Sequence, residues 1–485
     1  MTALAAVAWG VVALYALATA VLAGLGLHVA ALAAVRQVRP ARPLPPPPPG
    51  TPWPDVVVQL PVYAEPPALV ARALDAALAS DYPGRVEIQL LDDSPPPARR
   101  ENAALCAARR ARGVRHLPRA HRDGFKGGAL AHGLRQTGAP LAAVFDIDFR
   151  PEPGVLQALV APLLADPGLA FVQARWHHEP APTMLARAQA AVLDVHFVVE
   201  QAGRDRAGLP LVFNGTAGVW RVAAIEDAGG WSGETLAEDS DLALRAQARG
   251  WRARLAEDTA VPADLPATVG AWRRQQARWA KGLAEVARRR GGLLWRSALP
   301  VGSKVALSAH LALSLSLPAL LTLMLLHPVV GVIAGVGAVP GAVLAALNIG
   351  TVALGGLVAA HLVALRALHP GAVGARWRRI PEALVAPVAL VLPASRAVGE
   401  ALRGRRTPFL RTPKTAEGPR ERGRGEMALA AYALVGLAAL VGVGAWGAVP
   451  FQAALAVGCL GAVRAVRART RASSAAEPSP VRRAA

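Results

Sequence analysis

No Asp, Glu, Lys or Arg occurs between Ala3 and Val35, none occurs between Val305 and Leu365, and a densely charged stretch, Arg36–Arg296, lies between these two runs. This alternation restricts the fold more than any other feature of the chain. A run of about 20 apolar residues is long enough to cross a bilayer. Backbone inside hydrocarbon must satisfy its own hydrogen bonds, so such runs become helices. A secretory signal is the alternative for the first run, but signals start basic and have an apolar core of only about 7–15 residues. The mean hydropathy of +0.33 over 485 residues, 53% of them hydrophobic, excludes intrinsic disorder. Cys106 and Cys459 are the two cysteines, in segments of different character, which excludes a disulfide framework and a cysteine metal site.

Basic clusters orient the spans. Arg36, Arg39 and Arg42 follow the first run, so by the positive-inside rule that side is cytoplasmic, and the Pro45–Pro49 run reads as a stiff spacer. The second block is too long for one crossing. Beyond it come Arg366, Arg376, Arg378, Arg379, Arg403, Arg405, Arg406, Arg411 and Lys414, so the block must cross an even number of times. Spans are expected at Val305–Leu326 and Val343–Leu365, broken at His327-Pro328 and Pro340-Gly341. Ile380–Leu392 is short for a crossing and carries Glu382, so it reads as an interfacial helix. Met427–Trp446 and Val449–Val463 form a hairpin about Gly447–Pro450 and return Arg464, Arg467, Arg469 and Arg471 to the cytoplasm.

The expected organisation is a transmembrane helix over 1–35, a cytoplasmic domain over 36–300 and two spans over 301–366. A cytoplasmic or interfacial segment over 367–426, a hairpin over 427–466 and a disordered tail over 467–485 complete it. The tail is Ser/Ala/Pro-rich, with no sign of a cyclic-dinucleotide-binding module. Five crossings with the amino terminus outside place every basic cluster on one side. The net charge of +20, from 53 basic and 33 acidic residues, then needs no nucleic-acid partner. Membrane lipids are the expected partner, and the inner (plasma) membrane the expected location.

Within the charged stretch, Asp55–Leu60 and Val86–Leu91 read as strands flanking a helix marked by Leu69, Ala73, Leu74, Ala77 and Leu78. Strand, helix, strand is a βαβ unit, and ligands of such sheets bind beyond the carboxyl ends of the strands. Asp92-Asp93 sits at that edge. Leu141–Phe145 is a further strand ending in Asp146-Ile147-Asp148, whose alternation in extended chain would put both carboxylates on one face. Two such oxygens suit Mg²⁺ or Mn²⁺ when the ion also holds a diphosphate, although an isolated Asp-x-Asp equally suits a solvated loop. Lys126 lies among Gly124, Gly127 and Gly128, which would let backbone approach an anion. Glu238-Asp239 opens a helix, and Gln275, Arg278 and Trp279 lie on another just before the second block. Taken singly, these are also a surface lysine, a capped helix and an interfacial Arg/Trp pair. His177 and His178 are adjacent on a strand and so face opposite ways, which makes no metal site.

The order strand-Asp93, Lys126, Asp146-x-Asp148, Glu238-Asp239, Gln275-x-x-Arg278-Trp279, then apolar spans, resembles the inverting, membrane-embedded family 2 glycosyltransferases of the cellulose synthase superfamily. The resemblance covers about 60–282 and extends more weakly to Phe409–Lys414. Ile88–Ser94, Val172–Trp176 and Phe213–Arg221 look closest to the cellulose synthase-like branch that includes plant mannan synthases. The resemblance implies an α/β fold, a GT-A-like, Rossmann-type cytoplasmic glycosyltransferase domain inserted between transmembrane helices.

It also implies roles. Glu65 and Asp93 would hold the nucleoside, Lys126 the diphosphate, and Asp146 and Asp148 the nucleotide sugar and its Mg²⁺ or Mn²⁺. Asp239, beside Glu238, would be the general base, while Gln275, Arg278 and Trp279 would close the acceptor side, with Trp279 as a flat platform for a sugar ring. Trp176 and Trp220 are further candidate platforms, or else core residues. Two departures stand out: Ala64 where relatives usually carry Asn, and Ile147 where a smaller residue is common.

The function implied is a hexosyltransferase moving sugar from a nucleotide-sugar donor, UDP-glucose or GDP-mannose, to a growing β-glucan or β-mannan. Export through its own spans would follow, with accessory export proteins as optional partners. The alternatives are transfer to a lipid acceptor, giving a glycolipid, and a non-catalytic nucleotide-binding membrane scaffold.

Overall fold

The computed structural model describes residues 3–178, 183–340, 350–407 and 423–474, with side chains described from residue 5 to residue 466. The expected Phe409–Lys414 motif lies outside these residues, as do 343–349 of the expected span Val343–Leu365 and 475–485 of the expected tail.

The domain between the first two apolar runs is built on a sheet of seven strands in the order β3-β2-β1-β4-β6-β5-β7. The strands are β1 (Val56–Val62), β2 (Val86–Asp92), β3 (Val114–Pro118), β4 (Leu141–Val144), β5 (Leu169–His177), β6 (Gly218–Arg221) and β7 (Arg252–Pro262). Valine, isoleucine and leucine fill β1 and β2 on both faces because helices cover both sides of a parallel sheet. Helix α2 (Pro67–Leu78) makes the expected crossover, turning Val70, Ala73, Leu74 and Ala77 to the core, and β1 and β2 run parallel, Val56 beside Val86. β4 also runs parallel to β1, while β6 is antiparallel to both β4 and β5, so the sheet is mixed. Helices α3 (Pro96–Ala107), α4 (Phe125–Leu134), α5 (Val155–Ala165), α6 (Met184–Asp194), α7 (Ala202–Ala207), α8 (Val222–Asp227) and α9 (Glu238–Ala248) complete the domain, and α10 (Val269–Arg296) leads out of it.

Two expectations about the strand ends are corrected. The chain does not stay extended through Asp146-Ile147-Asp148: β4 stops at Val144, and Phe149 N–H donates to Asp146 O at 2.9 Å, closing a turn. Asp92 does not face a ligand. It is fully buried, accepting from Ser94 N at 2.8 Å and Asn102 Nδ2 at 3.1 Å and bonding His116 Nε2 at 2.8 Å.

Six stretches are long and apolar enough to cross a membrane among the described residues. They are Ala5–Val38, Val301–Gly335, Gly350–Leu368, Pro370–Leu402, Arg424–Gly442 and Val449–Val466. The first belongs to α1 (Ala3–Val38), and the second comprises α11 (Val301–Ala312) and α12 (Ser316–Gly335) around a short 3₁₀ turn. Helix α12 continues through Pro328 instead of breaking there. The proline packs against Gly436 of the Arg424–Gly442 helix, and His327 bonds Tyr15 Oη and Ala448 O, so tertiary partners hold the helix together. The last helix runs on to Ser474, past the boundary at 467 where a disordered tail was expected.

The sixth candidate is Pro370–Leu402, where an interfacial segment was expected. It is a chain of short helices and 3₁₀ turns, not one straight rod. Glu382 pairs with Arg187 of α6 at 3.1 Å, and Glu400 with Lys281 of α10 at 3.1 Å. Both parts of the segment are thus fastened to the sheet domain and the helix that leads out of it.

Helix α1 docks on the Gly350–Leu368 helix through small residues. A Cβ on Gly26 would lie 2.3 Å from Ala353 Cα, and one on Gly356 2.4 Å from Gly26 O, so only glycine permits this approach. The domain meets these helices through Val195–Gln201, a π-helical stretch between α6 and α7. Val195, Val198 and Val199 pack there with Val29 and Ala33 of α1 and with Ala360 and Ala364.

Candidate functional site

Strand order decides where the polar groups meet. β2, β1 and β4 are adjacent and parallel, so their carboxyl ends open onto one cleft, roofed by the start of α9 and one face of α10. Glu65, Asp93, Lys126, Asp146, Asp148, Glu238, Asp239, Gln275, Arg278 and Trp279 all line it. Residues more than two hundred positions apart in the chain therefore share one cavity.

Each arrives by a local device. Gln275, Arg278 and Trp279 stand at i, i+3 and i+4 of α10, hence on one side of the helix. α10 lies close because Gly282 faces the Leu236–Ala237 backbone: a Cβ there would come within 2.8 Å of Ala237 Cβ. Glu285 Oε2 accepts from Leu236 N at 2.8 Å, tying the same loop to the helix. Lys126 sits in the first turn of α4. The glycines beside it permit close packing. Gly233 meets Gly124 across a gap that a Cβ would close to 2.2 Å, and a Cβ on Gly127 would lie 2.9 Å from Ser232 O.

Among the described residues, three non-glycine residues have left-handed backbone, Ala64, Phe125 and Ala217, with φ of 54°, 49° and 56°. Each lies next to the cleft: Ala64 between Tyr63 and Glu65, Phe125 before Lys126, and Ala217 two residues after Gly215. Such conformations are costly and concentrate at sites whose geometry the surrounding fold enforces.

The electrostatics divide the cleft. At the β1–β2 end, Glu65 Oε2 accepts from Tyr63 N at 2.8 Å, and Arg119 grips both oxygens of Asp93 at 2.7 and 2.5 Å. In the middle, Lys126 Nζ donates to Asp146 Oδ1 at 2.6 Å and to Gly215 O at 2.9 Å. Burial works to lower the Lys126 pKa, but Asp146, Glu238 and Asp239 outweigh it and the ammonium is held above its usual range. Asp146 N donates to Thr216 Oγ1 at 2.8 Å, which fixes the turn carrying both aspartates. At the far end, burial and then the neighbouring Glu238 carboxylate push the Asp239 carboxyl up to about 7. Gly215 must be glycine: its φ is +82°, and a Cβ would come 2.7 Å from Asp239 Oδ2.

Asp146 and Asp148 fit a small divalent cation. Both line the cleft, Asp148 is only 7% exposed, and no cluster of three or more protein ligands occurs among the described residues. Two carboxylates with the remaining positions left to water and phosphate is the set Mg²⁺ and its relatives commonly take.

The aromatic candidates separate. Trp176 lines the cleft, its ring centroid 6.3 Å from that of Trp279 and 5.1 Å from Phe149. Trp220 does not: it is fully buried and packs on Phe171, Phe213 and Trp231 in the core, so it offers no sugar platform. His178 lines the cleft and bonds Ala263 O at 3.1 Å, while His177 is exposed outside it, the opposition expected of strand neighbours. Sequence reasoning missed Tyr63, Arg119, Arg122, Asn214 and Gly215. Arg119 and Arg122 sit in an irregular loop, where no periodicity marks a functional side chain.

Residues 57–225 match the family described as Glycosyl transferase family 2, and residues 143–357 that described as Glycosyl transferase family group 2. Glucomannan 4-beta-mannosyltransferase 7 of Arabidopsis thaliana is 38% identical over 253 residues, 50% of this chain and 45% of its own. Probable glucomannan 4-beta-mannosyltransferase 2 of Oryza sativa subsp. japonica is 38% identical over 306 residues, 59% of this chain and 53% of its own. The chain spans about half the length of the curated relatives it matches. A mannosyltransferase from Pyrobaculum calidifontis, solved in complex with GDP-Man and Mn²⁺, superposes with a TM-score of 0.54 at 21% identity. That superposition covers 79% of this chain and 99% of the other and marks the fold as GT-A-like. Matched sequence and shared fold agree on one domain, so the chain carries a glycosyltransferase family 2 domain.

Proposed function

We propose that the protein is a membrane-embedded inverting hexosyltransferase that moves mannose from GDP-mannose onto a growing β-linked mannan. One observation carries the reading: carboxylates, an ammonium and a guanidinium from separated elements line one cleft, with a raised carboxyl, Asp239, at its acceptor end. The choice of mannose over glucose follows the plant relatives, named as mannosyltransferases, and the GDP-Man bound by the solved neighbour.

Asp239 removes the proton of the acceptor hydroxyl as that oxygen attacks the anomeric carbon. A base is required because a neutral sugar hydroxyl is a poor nucleophile, and a carboxyl near pH 7 suits the task. One in-line displacement turns an α-linked donor into a β-linked product. Lys126 and Arg278 neutralise the departing diphosphate, the guanidinium through its planar donor fork. A cation at Asp146 and Asp148, Mn²⁺ or Mg²⁺, would add charge stabilisation of that same group. Glu238 raises Asp239, and Trp176 with Trp279 offers ring faces to the acceptor sugar.

The five-crossing topology with the domain cytoplasmic is part of this proposal, and an exit for product between the spans is its consequence. The test uses purified protein in lipid nanodiscs, given UDP-glucose and GDP-mannose separately, with the product then treated with linkage-specific glycanases and extracted with organic solvent. A β-mannanase-sensitive, solvent-insoluble product from GDP-mannose alone is expected. Solvent-extractable product would move the assignment to a lipid acceptor, and absence of transfer from either donor would leave only the scaffold.

A further inference from the structure

The π-helical stretch Val195–Gln201 works on two sides. Val195, Val198 and Val199 pack on the membrane helices, while His196 and Gln201 both bond the Asn214 side chain. The winding makes this possible. An α-helix turns about 100° per residue, so residues five apart point about 140° away from each other, whereas π winding closes each turn at the fifth residue. His196, Glu200 and Gln201 thereby share one side.

Hydrogen-bond polarity fixes how these groups connect. Gln201 Nε2 donates to Val212 O at 2.5 Å and Gln201 Oε1 accepts from Val212 N at 3.5 Å, so backbone dictates the orientation of the amide. The same Nε2 donates to Asn214 Oδ1 at 3.0 Å, which leaves Asn214 Nδ2 facing His196 Nε2 at 2.8 Å. A donor there requires a lone pair opposite it. The imidazole therefore carries its proton on Nδ1 and donates it to Glu200 Oε2 at 3.1 Å. Burial works against the Glu200 carboxylate, but the His196 bond and the charge of Arg204 outweigh it and hold the carboxyl below its usual range, as an acceptor.

Asn214 lines the cleft and His196 does not. The residues after Asn214 meet the groups of the proposed chemistry: Gly215 O accepts from Lys126 Nζ at 2.9 Å, Gly215 has no room for a Cβ beside Asp239 Oδ2, and Thr216 Oγ1 accepts from Asp146 N at 2.8 Å.

We infer that His196 is a positioning residue for sugar transfer: its Nδ1-protonated imidazole holds the Asn214 amide, and with it the Asn214–Thr216 segment against Lys126 and Asp239, from a helix seated on the membrane spans. It acts through Asn214 and sets turnover more than donor affinity, because Lys126 keeps its bond to Asp146. This rests on the cleft being a glycosyl-transfer site, as proposed above.

The test measures mannose transfer and GDP affinity of the full chain in nanodiscs for wild type, His196→Gln, His196→Asn, Asn214→Ala and the last two combined. Glutamine carries an amide oxygen near the place of Nε2 and can accept from Asn214, whereas asparagine reaches only the place of Nδ1. His196→Asn should lose about tenfold or more in kcat with GDP affinity held within about threefold. His196→Gln should keep at least about a third of wild-type kcat, and the combined variant should be no worse than the poorer single one, since both break one path. GDP binding by the variants also shows that they are folded. Equal losses in His196→Gln and His196→Asn, full kcat in His196→Asn, losses that multiply in the combined variant, or GDP affinity falling in step with kcat would each overturn the inference. Wild type that binds GDP yet transfers from neither donor would instead remove the transferase reading beneath it.

Discussion

Asp239 combines two demands that oppose each other. Burial beside Glu238 makes its carboxylate costly, and in the proposed mechanism the same burial would tune it for proton abstraction near neutrality. Asp239→Asn should cut transfer by about 10²–10⁴-fold with donor affinity kept, as read by turnover and GDP titration. Wild-type transfer should fall as pH drops below about 7, because the base is then protonated. The sign for stability is the reverse: a raised carboxyl contributes stability in acid that is lost as pH climbs through its folded value. Asp239→Asn should therefore raise the melting temperature at pH 8 and leave it unchanged near pH 4. Ala64 makes a second residue-scale case. Its φ of 54° is strained for alanine and tolerated by asparagine, so Ala64→Asn should stabilise by about 0.5–1 kcal/mol, visible as a thermal shift of a few degrees. No shift would mean that the Ala64 N–H bond to Ser94 Oγ at 2.9 Å already compensates the backbone.

Among the elements, α10 joins chemistry to membrane. One face supplies Gln275, Arg278 and Trp279, Gly282 lets it close on the Asp239 loop, and Lys281 ties it to the segment ending at Leu402. The Trp176–Trp279 pair sits where an acceptor ring would rest. Trp279→Ala should reduce elongation about tenfold more than donor hydrolysis, measured on one sample by product length and free mannose. Equal losses would make the tryptophan a packing residue. The junction beneath the domain is polar as well as apolar. Arg204, 1% exposed, donates to Ala306 O at 3.0 Å and lies 3.1 Å from His28 Nε2, both on membrane helices. On the domain side, His196 bonds Glu200 at 3.1 Å and Asn214 at 2.8 Å, next to Gly215. A buried network of this kind fixes one docking orientation, because any shift strands its charges.

At the scale of the molecule, the Pro370–Leu402 segment decides the topology. A crossing separates the ends of a helix by about 30 Å on opposite faces. Here Glu382 and Glu400 both reach back to the sheet domain and its exit helix, through Arg187 and Lys281, which supports the proposed topology of five crossings with this segment along the interface. Single cysteines at Arg378 and Arg403, both exposed, should label with a membrane-impermeant thiol reagent from the side that labels Gly138→Cys on the domain. Native Cys106 and Cys459 are buried and give a low background. Labelling of the two arginine sites from opposite faces would make the segment a sixth span.

What the linear chain determined by itself was local or periodic. Uncharged runs had to become helices in hydrocarbon, alternating strand and helix patterns had to make a parallel βαβ core, and acids after strand ends had to lie near a ligand edge. The tertiary structure decided what depends on which distant groups become neighbours. It turned Asp92 inward and left Asp93 in the cleft, buried Trp220 and kept Trp176 accessible, and set Arg122 on Tyr63. It also carried α12 through Pro328 and fastened Pro370–Leu402 to the domain. None of these follows from spacing, because a side chain's exposure, charge partner and ring contact are set by elements that the chain reaches only after it has folded.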